Sequence, residues 1–253
     1  MKFKALVSSE SNKKYESKVK SRTIQDLPEG DVLIKVYFSS LNYKDALSAI
    51  GNKGVSRNYP HTPGIDAAGI IETSESKNFK VGEEVIVTGY DLGMNTSGGF
   101  SEYIRVPSEW VVKKPEGISL SESMALGTAG LTAGLCVRKL INHKLTPDSG
   151  KLFVTGATGG VGIVAMMLLS KLGFEVVAIT GKLDSQDMLK EYGASEVITR
   201  EDLDQPLISP LQKSIYAGGI DAVGGNVLSN LLCATSQRAA IACCGMVNGA
   251  DLN

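Results

Sequence analysis

The stretch Val154-Thr155-Gly156-Ala157-Thr158-Gly159-Gly160-Val161-Gly162 limits this chain more than any other. Before it, Lys151 to Thr155 reads as a short apolar strand. After it, Val161, Val164, Ala165, Leu168, Leu169 and Leu172 recur at the spacing of one helix face. A glycine turn between a buried strand and a helix is the context that a dinucleotide-binding fingerprint needs. Gly156 allows the tight turn after the strand. Gly159 and Gly160 let backbone N–H groups approach a pyrophosphate with no Cβ in the way. Gly162 lets the helix lie close to the strand, and the helix N-terminus favours the anion. The spacing G-x-x-G-G-x-G is a variant of G-x-G-x-x-G. The competing reading is a glycine-rich turn that holds no ligand.

The 253 residues suffice for two domains, with 43% hydrophobic and 21% charged residues. A net charge of −1 gives no basic field for nucleic acid. No apolar run reads as long enough to span a membrane, and Met1 to Leu6 lacks the apolar core of a signal peptide. The four cysteines are Cys136, Cys233, Cys243 and Cys244. None forms C-x-x-C, and a vicinal pair is a poor disulfide framework. A reducing, cytoplasmic location is the expectation.

Residues 1–118 read as β-rich. Strands are expected over Lys2–Val7, Lys13–Thr23, Val32–Ser39, Ala67–Glu72, Val85–Val87, Ser101–Val106 and Trp110–Lys113, with a short helix over Asn42–Ile50. So many short strands suggest a barrel-like domain. Residues 119–253 change pattern. Helices over Glu122–Leu126 and Thr128–Asn142 lead into alternating elements. These are Lys151–Thr155, Gly160–Leu172, Glu175–Ile179, Asp184–Tyr192, Glu196–Thr199, Ile220–Val223, Asn226–Thr235 and Ala239–Cys243. The fold class is therefore α/β, with a doubly wound parallel sheet after the β-rich domain.

Several motifs stand together in order: Ser39-Ser40-Leu41-Asn42-Tyr43-Lys44-Asp45-Ala46-Leu47, Pro63-Gly64-Ile65-Asp66, Gly127-Thr128-Ala129-Gly130 and the glycine turn. On these the chain resembles the medium-chain dehydrogenase/reductase superfamily. Within it, the wording is similar to the zinc-independent quinone-oxidoreductase branch, closest to the acrylyl-CoA reductase type. The resemblance covers essentially the whole chain. It implies a GroES-like barrel over 1–118 and an NADP-binding Rossmann domain over 119–253. Zinc-dependent members place a cysteine near the position of Asn42 and a histidine after the Pro-Gly. Here Asn42 and Ile65 stand there, and Asp91 to Gly99 holds none of the four cysteines of a structural zinc loop. No metal is expected. His61 could line the cleft or serve as an ordinary loop histidine.

The second strand of the parallel sheet ends in Thr180-Gly181-Lys182, with no carboxylate there to bind ribose hydroxyls. A hydroxyl, an open backbone and an ammonium suit a 2′-phosphate, so NADP(H) is the expected cofactor. The resemblance adds Arg200, matching an arginine that holds this phosphate; Lys182 stands where arginine is common. The competing reading makes Lys182 and Arg200 solvated surface charges. The resemblance also implies that Tyr43 contacts the cofactor, that Thr128 meets the nicotinamide side and that Thr158, Gly159, Gly160 and Val161 cradle the diphosphate. Met246 would lie along the nicotinamide ribose. Asn42, Tyr43 and Asp45 are the catalytic candidates, with helix capping as the other role for Asn42 and Asp45.

The implied reaction is hydride transfer from NADPH to an activated C=C bond of an acyl-CoA, enone or quinone. The partners are such small molecules, with neither nucleic acid nor membrane. Family members continue for several tens of residues beyond the position of Asn253, so the Rossmann domain is expected to be incomplete and the homodimer of relatives doubtful. The fifth or a neighbouring strand would then present an open edge. Asp221-Ala222-Val223-Gly224-Gly225 also departs from relatives, which often carry a polar residue at position 225. The alternative function is a non-catalytic or impaired NADP-binding homologue.

Overall fold

The structure is a computed structural model, and it describes residues 1–12, 14–206, 212–249 and 251–252. The described chain forms two compact units, Met1–Thr128 and Ala129–Asn253. The sequence pattern changes at 118/119, whereas the units divide inside a helix ten residues later.

The first unit opens with a hairpin. Strands β1 (Lys2–Ser11) and β2 (Lys14–Thr23) pair antiparallel, with Lys2 opposite Thr23 and Ser11 opposite Lys14. Residue 13, the expected start of the second strand, lies outside the described residues. Alternation places Phe3, Ala5 and Val7 inside. A five-stranded antiparallel sheet follows, in the order β6-β3-β4-β5-β7. Its strands are β3 (Val32–Phe38), β4 (Asp66–Ser74), β5 (Glu84–Thr88), β6 (Tyr103–Val106) and β7 (Val111–Lys113). Val32, Ile34, Ala67, Ile71, Val85, Val87 and Ile104 build its core. Burying each of the larger side chains contributes about 1.5–3 kcal/mol. Helix α1 (Tyr43–Ala49) lies between β3 and β4 in sequence.

Helix α2 (Leu120–Asn142) is broken at Gly127, whose φ of 47° and ψ of −152° are not helical. Two helices meeting at this glycine match the sequence pattern. By length and composition the 23-residue α2 is apolar enough to cross a membrane, which corrects the reading that no run reaches that length. The break leaves neither piece at the roughly 20 residues a span needs.

The second unit holds a five-stranded parallel sheet, β8 (Leu152–Thr155), β9 (Val176–Thr180), β10 (Glu196–Thr199), β11 (Tyr216–Asp221) and β12 (Thr235–Cys243). Helices α3 (Gly160–Lys171), α4 (Gln186–Glu191) and α5 (Gly225–Cys233) alternate with them. The order is β10-β9-β8-β11-β12, so the winding reverses at β8. Ligands of such sheets bind beyond the strand ends at that reversal. Every residue of β8 and β9 is buried, as strands covered on both faces require. Strand β11 ends at Asp221 rather than Val223. The Asp221 carboxylate accepts from the backbone N–H groups of Val223 and Gly224, turning the chain into α5. Strand β12 starts at Thr235, four residues before the expected Ala239.

Candidate active site and cofactor site

In the first unit the candidate site centres on Asp66, the first residue of β4, which is fully buried. Its carboxylate accepts four hydrogen bonds. One comes from the Ser40 hydroxyl. Asn42 Nδ2 donates at 2.9 Å. Thr128 donates twice, from its backbone N–H at 2.9 Å and its hydroxyl at 2.7 Å. A buried carboxylate is tolerated when its lone pairs are filled in this way. Ser39 Oγ adds a bond of 2.7 Å to the Asp66 carbonyl oxygen.

Asn42 and Asp45 begin α1 together. The Asn42 backbone N–H donates to Asp45 Oδ2 at 2.8 Å, and the Ile65 N–H donates to Asp45 Oδ1 at 2.9 Å. Burial raises the Asp45 carboxyl above its ordinary range, partly offset by these donors. The capping role of these two residues is thus present in the structure. Asn42 Nδ2 gives its other bond to Ser40 Oγ at 2.9 Å, so both amide protons are used inside the unit. Tyr43 differs: its side chain is 63% exposed, and it opens the first turn of α1.

His61 is buried, with Nε2 2.9 Å from the Gly93 carbonyl oxygen, and its ring meets Tyr59 edge-on. Burial pushes its pKa down. A neutral ring donating from Nε2 fits a structural histidine. In the Asp91 loop the carboxylate of Asp91 accepts from Asn95 Nδ2 and Thr96 Oγ1, each at 3.0 Å. Among the described residues no group of three or more His, Cys, Asp or Glu is placed to hold a metal.

In the second unit β8 runs into the glycine turn and α3. Gly156 sits at φ +59°, a conformation a side chain would strain. A Cβ on Gly162 would meet the Gly156 carbonyl oxygen at 2.3 Å, so only glycine permits this packing. Helix α3 starts at Gly160 with Gly159 as its cap. Val161 packs against the core, so it offers the turn backbone rather than side chain. Beyond β9, Thr158 and Thr180 bring their hydroxyls to 3.4 Å, and the Lys182 N–H donates to Thr180 Oγ1 at 3.0 Å. Arg200, directly after β10, reaches across so that a Cβ on Gly181 would lie 3.4 Å from its guanidinium. Its Nε is buried without a hydrogen-bond partner among the described residues. The tertiary structure thus joins Thr158, Thr180, Gly181, Lys182 and Arg200. Met246 is 66% exposed, close to the turn at Gly224.

Asp66 and Asp221 stand inside motifs quoted from the sequence, which assigned neither of them a role. Asp221, fully buried, accepts from Thr155 Oγ1 at 2.7 Å and ties β8 to β11. The available signal was a carboxylate at one end of an apolar strand, at the start for Asp66 and at the end for Asp221.

Residues 28–116 match the family model described as alcohol dehydrogenase GroES-like domain, and residues 160–253 match that of zinc-binding dehydrogenase. The acrylyl-CoA reductase AcuI of Ruegeria pomeroyi is 42% identical over 252 residues, covering 99% of this chain and 76% of that protein. The chain belongs to the medium-chain dehydrogenase/reductase superfamily. Two solved members of the superfamily have nearly the same fold. Escherichia coli YhdH with bound NADPH gives a TM-score of 0.95 at 42% identity, over 98% of this chain and 76% of that one. Bacillus subtilis YhfP with NAD bound gives 0.94 at 42% identity, over 100% and 77%.

Proposed function

We propose that the chain is an NADPH-dependent oxidoreductase that reduces an activated C=C bond of an acyl-CoA, enone or quinone, without zinc. The observation that carries this reading is Arg200, whose buried Nε lacks a partner beside Gly181 and Thr180. A buried guanidinium donor is costly unless an acceptor fills it, and a 2′-phosphate is such an acceptor. Thr180, Lys182 and Arg200 would hold that phosphate. The N–H groups of Gly159, Gly160, Val161 and Gly162 would receive the diphosphate at the start of α3. The names of the relatives, an acrylyl-CoA reductase and an NADPH-bound oxidoreductase, agree.

The nicotinamide, when bound, supplies the hydride. Negative charge develops on the acceptor's carbonyl oxygen, and a donor aimed there lowers the barrier. Both amide protons of Asn42 are committed to Ser40 and Asp66. Asn42 therefore positions the start of α1, and so does Asp45. The exposed Tyr43 phenol is the donor we assign to the developing oxyanion. The last proton comes from solvent. In this reading Thr128 and Met246 adjoin the nicotinamide half.

The test is NADPH oxidation against acryloyl-CoA, an enone and a quinone, with Tyr43→Phe beside the parent protein. Consumption of NADPH with at least one acceptor, slowed about tenfold or more in kcat by Tyr43→Phe, is expected. No turnover with any of the three would sink the proposal.

A further inference from the structure

Strand β10 leads directly into a short 3₁₀ turn, Arg200–Asp202, whose first residue brings its guanidinium to Gly181. The turn closes on itself: the N–H groups of Leu203 and Asp204 both donate to the Arg200 carbonyl oxygen at 3.0 Å. The residues after it are tied from a distance. Asn230, half-buried on α5, donates through Nδ2 to the carbonyl oxygens of Leu203 and Gln205, each at 2.9 Å. It also donates to the Asn226 carbonyl oxygen, one turn back, at 3.1 Å. Two amide protons thus serve three carbonyl oxygens. A second tie joins Asn248 Nδ2 to Asp204 Oδ1 at 2.9 Å.

Asparagine is a poor helix former, because its amide competes for backbone partners. At position 230 the amide finds those partners on another element, 25 and 27 positions away. Packing alone holds the turn loosely. Leu203 joins the apolar cluster to which α5 contributes Val227 and Leu231, but Glu201 and Asp202 are exposed. The Arg200 Nε is buried without a partner among the described residues. To meet a phosphate oxygen it must be aimed within a few tenths of an ångström, and its aim follows the backbone that carries it.

We propose that Asn230 is a positioning residue of the 2′-phosphate site: it ties the Arg200 turn to α5 and thereby sets the preference for NADPH over NADH. The proposal rests on the reading of Arg200 given above. Both amide protons of Asn230 are committed to carbonyl oxygens, so it acts through Arg200 and not on the phosphate itself. NADH lacks the phosphate. A misplaced turn therefore weakens NADPH alone, whereas a general loss of folded protein lowers the binding capacity for both cofactors and leaves the ratio of their affinities unchanged.

The experiment titrates NADPH and NADH, by fluorescence, into the parent protein, Asn230→Ala, Arg200→Ala and the double variant. Asn230→Ala is expected to lower the ratio of NADPH to NADH affinity by about threefold or more, with NADH affinity within about twofold of the parent's. In the Arg200→Ala background the same substitution should move the ratio no further, because a residue that acts through Arg200 has nothing left to position. Asn230→Ser keeps a bond to the Asn226 carbonyl oxygen but is too short for Leu203 and Gln205. It should reproduce the fall, and it carries the test if Asn230→Ala does not fold. A smaller fall, an equal weakening of both cofactors, or a further fall in the Arg200→Ala background would overturn the proposal and leave the phosphate site standing. Equal affinities in the parent protein would overturn both.

Discussion

The backbone N–H and the hydroxyl of Thr128 both donate to the carboxylate of Asp66, at 2.9 and 2.7 Å, across 62 positions of sequence. An anion thus sits where α2 resumes after its break, the end of a helix that favours negative charge. Gly127 is required beside it: a Cβ there would stand 2.7 Å from Asp66 Oδ2.

Asp66→Asn puts an NH2 group among four donors. The variant loses charge-assisted bonds and leaves a buried donor unmatched. An unfolding free energy lower by about 2–4 kcal/mol is expected, read from urea unfolding. Stability equal to the parent protein would show that the carboxylate is not holding Ser40, Asn42 and Thr128 together.

Asp45 gives a pH dependence of definite sign. Burial raises its folded pKa above the ordinary 3.8. The folded chain therefore binds the proton more tightly than the unfolded chain. That contribution to stability is full below the ordinary value and is lost as pH rises through the folded value. Asp45→Asn cannot titrate, so its penalty should be larger near pH 4 than near pH 7. Urea unfolding of both proteins at the two pH values checks this. A penalty that shrinks on acidification would reverse the sign.

The phosphate site proposed at Arg200 and Lys182 predicts the cofactor choice. NADPH is expected to bind at least about tenfold more tightly than NADH, roughly 1.4 kcal/mol. Arg200→Ala should remove most of that difference, and Lys182→Ala a smaller part, with NADH affinity nearly constant in both. Fluorescence titration with each cofactor measures it. Equal affinities in the parent protein would refute the phosphate assignment.

Zinc should be absent from the purified protein, because Asn42 and Ile65 offer neither thiolate nor imidazole. Elemental analysis is expected to find far less than one zinc per chain, and chelator should leave the melting temperature unchanged. One tightly held zinc per chain would contradict the reading.

The glycine turn, the α/β alternation and the two-part organisation were legible in the sequence because they are local. Strand runs, helix faces and turn residues act over a few positions, and Gly156–Gly162 combines all three signals. The ends of elements were less legible. Strand β11 stops at Asp221 because a side chain 66 positions from Thr155 caps the next turn, which no local pattern reveals. In α2 length and composition alone see one apolar run, whereas the sequence pattern and the backbone both divide it at Gly127.

The sequence by itself determined which residue types could carry the chemistry: glycines at the turn, no carboxylate after Ile179, no ligands for zinc. The tertiary structure decided which of them meet. It brought Arg200 to Gly181, Thr128 to Asp66 and Asp221 to Thr155, each pair from different elements. It also spent both amide protons of Asn42 within the fold and left the Tyr43 side chain exposed. Hydrogen bonds act over about 3 Å, whereas sequence distance is set by the path of the chain. Those meetings were fixed only once the sheets and helices had packed.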